Sequence, residues 1–223
     1  MRPQLAFLHT SPVHVAGFDA VVQELAPELE VHHHVDESLL AAARQFGATD
    51  PAVIKRVEAA MLQATAGGAS LVVCTCSSIG GIAERMNGRS GLRTARIDRA
   101  MADSAVALGP RVLLVAALES TLGPTTELLM ESASASAKPI VISNLLLDHA
   151  WAHFLQGDNQ AYLQAISHSV RVALQEKAAD IDVVVLAQAS MSAAAQDLID
   201  ISKVVLSSPR LGVARAISLL LKN

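Results

Sequence analysis

Apolar positions along the chain come in short unbroken runs, and stretches with helical spacing separate them. Gln4–His9 reads as a strand that stops at Thr10-Ser11-Pro12. A helix is predicted over Gly17–Leu25, a strand over Leu29–Val35 and a helix over Asp36–Phe46. Pro51–Ala66 has the spacing of an amphipathic helix, with Pro51 at a permitted first-turn position and Gly67-Gly68 ending it. A strand over Leu71–Thr75 leads to a helix over Ile79–Met86, a short strand over Thr94–Ile97 and a helix over Ala100–Leu108.

The plan then restarts. Arg111–Ala117 reads as a strand, Glu119-Ser120-Thr121 as a break and Thr125–Ser136 as a helix. Pro139–Ser143 is predicted as a strand, Leu147–Leu155 and Gln160–Ala179 as helices, and Asp182–Leu186 as a strand. A further helix, a strand over Val204–Ser207 and a final helix close the chain. In each half a strand ends in polar residues and a later strand ends in a polar cluster: His9 then Cys76, and Ala117 then Gln188. Strands alternating with helices predict parallel sheets covered on both faces. The expected fold is α/β, with two pseudo-symmetric lobes that each hold a parallel β-sheet flanked by helices. Lobe 1 is expected to span 1–98, with 207–223 returning to it, and lobe 2 to span 99–206. Pseudo-symmetry places the Cys76 and Gln188 turns on opposite sides of an interlobe cleft.

Composition narrows the function. The chain is 52% hydrophobic but only 3% aromatic, so its core must be built from Ala, Val, Leu and Ile. A net charge of −4 with no basic block argues against a nucleic-acid partner. Neither Gly-x-Gly-x-x-Gly after the first strand nor a phosphate loop is present, which disfavours a nucleotide enzyme. The short apolar stretch Leu5–Leu8 is broken by His9 and Pro12, too soon for a signal peptide or a membrane span. Cys74 and Cys76 are the only cysteines, which fits a reducing compartment, and the cytoplasm is the expected location.

The most informative stretch is Ser70–Gly81, an apolar strand that stops at sulfur, two hydroxyls and two glycines. Strand ends of this kind face helix N-termini, where ligands bind and a thiolate finds free N–H groups. Cys76 is therefore the candidate catalytic thiol, and Cys74 reads as core. His9 follows a strand and precedes hydroxyls, which makes it a candidate second proton carrier. His32-His33-His34 reads as a solvated strand end or a lobe interface. A Cys-x-Cys pair without a second pair falls short of a metal site, so no metal is expected.

These residues resemble the aspartate/glutamate racemase superfamily. Val73-Cys74-Thr75-Cys76-Ser77-Ser78 is similar to the family's first motif, with Cys76 at the cysteine position. Leu186-Ala187-Gln188-Ala189-Ser190-Met191 is similar to the second, but Gln188 stands where the other cysteine belongs. Ser120-Thr121 resembles the family's Thr-containing turn, His9-Thr10-Ser11 stands at its Asp-Ser-Gly position, and Ser207-Ser208-Pro209 resembles the return to lobe one. The resemblance implies a cofactor-independent isomerase of the amino-acid racemase type, acting next to a carboxylate of a small acid and commonly dimeric. Cys76 and His9 would be catalytic, and Thr10, Ser11, Ser77, Ser78, Thr121, Gln188 and Ser190 would bind the substrate. An amide cannot exchange a proton at useful pH, so Gln188 disfavours a symmetric two-thiol racemase. Single-thiol protonation after decarboxylation of a malonate-like acid, nucleophilic addition by Cys76, and carboxylate binding without catalysis stay open.

Overall fold

The computed structural model describes residues 4–222. The chain divides into two compact units, Met1–Asp98 with Pro209–Asn223 and Arg99–Ser208. Each unit has a four-stranded parallel sheet with helices around it, the expected α/β two-lobe architecture.

In the first unit the strands are β1 (Gln4–His9), β2 (Glu30–Val35), β3 (Leu71–Cys74) and β4 (Thr94–Arg96), ordered β2-β1-β3-β4. β1 and β3 are central, and their apolar runs are buried on both faces, as strands in a parallel sheet require. Ala6, Leu8, Val72 and Cys74 pack with Leu39 of α2 (Glu37–Phe46) and with Val53, Val57 and Met61 of α3 (Pro51–Thr65). Ile82 and Ala83 of α4 (Gly80–Arg85) close the same cluster. On the other face Phe7 meets Phe18 of α1 (Val15–Leu25), with ring centroids 5.0 Å apart. Burying a ring such as Phe7 stabilises the unit by about 2–3 kcal/mol.

Local chemistry fixes the helix ends. Asp50 accepts from the N–H groups of Ala52 and Val53 at 2.8 and 3.1 Å, and Pro51 follows it. Gly47 ends α2 with φ at +87°, a value that favours glycine. The last helix, α10 (Ser208–Leu221), comes close to Ile97, the residue after β4. A Cβ on Gly212 would stand 2.1 Å from the Ile97 carbonyl oxygen, so only glycine admits that approach.

The second unit repeats the plan with β5 (Arg111–Ala116), β6 (Val141–Leu146), β7 (Val183–Leu186) and β8 (Val204–Ser207), ordered β6-β5-β7-β8. Leu113, Val115, Val184 and Leu186 pack against Tyr162, Ile166 and Val170 of α8 (Asn159–Lys177). α5 (Arg99–Leu108), α7 (Asp148–Leu155) and α9 (Ala194–Asp197) complete the unit together with α6 (Glu119–Ala135).

Two expectations need correction here. Glu119-Ser120-Thr121 does not break the chain: α6 begins there and runs through Pro124. Pro124 removes a single donor in the second turn, and the buried face of Thr121, Thr125, Leu128 and Ser132 holds the helix together. The strand expected at Pro139–Ser143 is Val141–Leu146, because the ladder opens where the Val141 N–H reaches the Pro110 carbonyl at 2.6 Å. Among the described residues no helix is long and apolar enough to cross a membrane.

Candidate active site

The first candidate centre lies at the carboxyl ends of β1 and β3, which run side by side with Leu8 opposite Cys74. The Thr75 N–H continues the pairing to the Leu8 carbonyl at 3.0 Å. The chain then turns at Cys76 into α4, with the Ile79 N–H on the Cys76 carbonyl at 3.3 Å. Cys76 is partly exposed and Cys74 is buried. The Cys76 sulfur takes hydrogen bonds from the Thr10 hydroxyl and from the N–H groups of Ser78 and Ile79. The structure therefore brings Cys76, Thr10 and Ser78 together. Ser77 is buried in the same turn, and Ser11 is partly exposed after Thr10.

The electrostatics correct the expectation of an activated thiolate. Burial pushes the Cys76 thiol up, the donors from Thr10, Ser78 and Ile79 pull it down without winning, and Asp98 adds to the rise. The resting group is a neutral thiol. Cys74 is pushed up as well, chiefly by burial. The glycines after Ser78 also have a packing reason. A Cβ on Gly80 would stand 3.1 Å from Cβ and Nε of Arg96, whose guanidinium forms a buried pair with Asp98 at 2.6 and 3.1 Å.

His9 departs from its expected part as a proton carrier. It is fully buried, and both ring nitrogens are engaged: Nδ1 with Thr75 Oγ1 at 2.8 Å and Nε2 with His33 Nδ1 at 2.8 Å. Burial, then the neighbouring His33 and His14, lower its pKa to about 3. At neutral pH it is an uncharged ring that positions its neighbours. His33 corrects a second expectation, because it is no solvated strand end. It stacks on His9 with centroids 5.1 Å apart and reaches Asp19 Oδ1 through Nε2 at 2.9 Å. Thr75 and Asp19 are not among the residues that the sequence offers for the site, and His33 is read there only as part of the histidine run. The available clue is strand alternation, which puts His33 on the face of its partner Phe7 and of His9.

The second candidate centre lies at the ends of β5 and β7 in the other unit. Gln188 is buried, and its Oε1 accepts from the N–H groups of Ala117 and Leu118 at 2.6 and 3.2 Å. Its Nε2 has no partner among the described residues. Ser190 Oγ lies 2.9 Å from the Tyr162 hydroxyl, which burial pushes up to about 12 against the pull of that hydrogen bond. Thr121 is buried in the first turn of α6. An amide oxygen thus fills a pair of backbone donors at the position where the resemblance expects a thiol. The donors are main-chain groups, so residue types in the sequence give no clue to them.

No protein-family model and no curated protein sequence matches this chain. Solved structures do. The aspartate racemase of Picrophilus torridus matches with a TM-score of 0.74 at 11% identity, over 99% of this chain and 95% of that one. A cysteine-substituted mutant of arylmalonate decarboxylase matches with a TM-score of 0.61 at 18% identity, over 99% and 94%. The allantoin racemase of Pseudomonas fluorescens matches with a TM-score of 0.65 at 14% identity, over 98% and 91%. The chain shares the fold of these solved racemase and decarboxylase structures.

Proposed function

We propose that this chain is a cofactor-independent enzyme that delivers a proton to the carbon next to a carboxylate of a small acid, with the Cys76 thiol as the donor. The observation that carries the proposal is the setting of the sulfur. It sits partly open at the end of a central strand, with a hydroxyl and two N–H groups upon it, and it is neutral at rest. A neutral thiol is an acid suited to a carbanion, and the same three donors stabilise the thiolate once the proton has left.

Gln188 separates the reactions of this class. Racemisation by two thiols needs a second group that exchanges protons, and an amide whose oxygen is held by two backbone donors supplies none. Decarboxylation of a malonate-like acid needs one donor. The bond from carbon to the departing carboxylate breaks and its electron pair stays on carbon. That carbon takes the Cys76 proton, and the thiolate recovers one from water. The arylmalonate decarboxylase that shares the fold supports this member of the class.

The test uses amino-acid, hydroxy-acid and malonate-like panels in D₂O, read by NMR for deuterium at carbon. Incorporation is expected with at least one malonate-like acid, and Cys76→Ala lowers it by roughly 10²–10⁴-fold with the fold unchanged by circular dichroism. Carboxylate binding without deuterium in any panel identifies a binding protein and overturns the proposal. Incorporation that survives in Cys76→Ala overturns the part given to the thiol. Iodoacetamide labelling of Cys76 against pH is expected to rise only above about 8.5, the value of a free thiol. A midpoint near neutrality refutes the neutral thiol.

A further inference from the structure

A line of hydrogen bonds in the first unit runs from its surface to the buried end of β3. Asp19 on α1 is half-exposed and meets His33 Nε2 at 2.9 Å. His33 Nδ1 meets His9 Nε2 at 2.8 Å, and His9 Nδ1 meets Thr75 Oγ1 at 2.8 Å. The same Thr75 hydroxyl lies 3.1 Å from the Leu8 carbonyl. A hydroxyl has one proton, and here it has two acceptors within reach.

Donor logic assigns the directions. A carboxylate only accepts, so His33 holds a proton on Nε2. When His33 is neutral its Nδ1 is a lone pair, so His9 carries its proton on Nε2. His9 Nδ1 is then the acceptor, and the Thr75 hydroxyl donates to it. When His33 is protonated its Nδ1 becomes a donor and His9 Nε2 must accept. The His9 proton then sits on Nδ1 and points at Thr75 Oγ1, and the Thr75 hydroxyl donates to the Leu8 carbonyl. The second state holds one more proton than the first, and every bond of the line survives in it.

We infer that Asp19, His33, His9 and Thr75 form a proton-gated relay, in which one proton taken up at His33 swaps the tautomer of His9 and turns the Thr75 hydroxyl from His9 to the Leu8 carbonyl. The relay does not depend on what the site binds or catalyses. His9 stays uncharged in both states, as its burial dictates. The added charge stays on His33, against the Asp19 carboxylate. Among the described residues, His14 has its ring 6.4 Å from that of His9, and on β2 Glu30 and His32 pair at 3.5 Å. Phe7 and Phe18 flank His9 and carry no charge. The switch lies one residue before Thr10 on one strand and one residue before Cys76 on the other, so it acts on the join between them.

Nitrogen NMR of the full chain with ¹⁵N-labelled histidine, titrated from alkaline to mildly acid pH, tests the relay. The His9 proton is expected on Nε2 at the alkaline end and on Nδ1 at the acid end, with the change tracking the titration of His33. Asp19→Asn, a substitution at a half-exposed site that removes the carboxylate facing His33, is expected to move both transitions together toward lower pH. A His9 tautomer that stays fixed while His33 titrates overturns the relay. So does a His9 that becomes cationic, or a tautomer change that stays put in Asp19→Asn while His33 shifts. None of these readouts requires turnover, so the relay and the proposed activity fail separately.

Discussion

Acidification should destabilise the first unit through His9, and the size of the effect follows from its burial. The folded His9 has a pKa of about 3, because burial disfavours the imidazolium and His33 and His14 oppose it further. In the unfolded chain the ring titrates near 6.5. Between these values the unfolded state binds a proton that the folded state refuses, so stability rises with pH across the window. The contribution is complete above about pH 6.5 and is lost as pH falls from there toward 3, at about 1.4 kcal/mol per unit. From pH 7.5 to pH 5 the loss from His9 alone is about 2 kcal/mol. His14, also lowered by burial, adds a loss of the same sign.

The assay must report on the right unit. The single Trp and the single Tyr, Trp151 and Tyr162, both lie in the second unit, so fluorescence is blind to the first. Native-state amide exchange of β1 and β3, corrected for the intrinsic pH dependence of exchange, reads the free energy directly. His9→Phe supplies the control. The new ring fits among Phe7 and Phe18, Thr75 keeps the Leu8 carbonyl as an acceptor, and His14 stays in place. The variant is expected to be less stable at neutral pH, because His33 Nδ1 loses its partner. Its loss between pH 7.5 and 5 is expected to be about 2 kcal/mol smaller than that of the parent. Equal losses in the two proteins refute the assignment of the pH dependence to a buried neutral His9.

Two further outcomes test the packing arguments. Gln188→Leu keeps much of the volume but removes the acceptor, leaving the buried N–H groups of Ala117 and Leu118 unpaired. It should cost about 2–4 kcal/mol in urea unfolding followed by Trp151 fluorescence, and a loss under about 0.5 kcal/mol contradicts the role of the amide oxygen. Gly212→Ala sets a Cβ against the Ile97 backbone oxygen at 2.1 Å, whereas Gly80→Ala meets the Arg96 side chain at 3.1 Å. Thermal unfolding should show the first substitution as the more damaging, by about 3 kcal/mol or more against about 1 kcal/mol, and the reverse order refutes the reading of these contacts.

The strands were legible in the sequence because a strand buried on both faces writes itself as an apolar run. Gln4–His9 matches the observed strand residue for residue; the edge strand Val204–Ser207 also matches, on its apolar run alone, because none of its residues is fully buried. Elements held by tertiary contacts were not legible in this way. The start of α6 looked like a break because Glu119-Ser120-Thr121 and Pro124 are turn-forming residues. Burial of Thr121 and Thr125 on the helix face overrides that local preference. The histidine run divides for a related reason, with His32 partly solvated as expected and His33 turned inward. His32 and His33 follow the same residue type in adjacent positions, yet one pairs with Glu30 and the other enters the aromatic cluster behind β1. Only the pairing of β1 with β2 decides which ring goes inward.

The same burial governs the three titratable groups at the ends of β1 and β3. It raises both thiols and lowers the imidazole, because it penalises whichever form is charged. A thiol and a histidine on adjacent strand ends suggest a thiolate–imidazolium pair, in which each ion stabilises the other. Such a pair needs a ring nitrogen on the sulfur, and both nitrogens of His9 are committed to Thr75 and His33. The sulfur instead has three uncharged donors from Thr10, Ser78 and Ile79. Uncharged donors hold a thiolate less strongly than a cation does, so the proton stays on sulfur until a stronger base arrives. A carbanion next to a carboxylate is a base of that strength, whereas an intact carbon–hydrogen bond would require the ionised sulfur this environment withholds. Burial does not make the thiol a stronger acid; it keeps Cys76 protonated at rest, so the form present is the one that the proposed proton delivery requires.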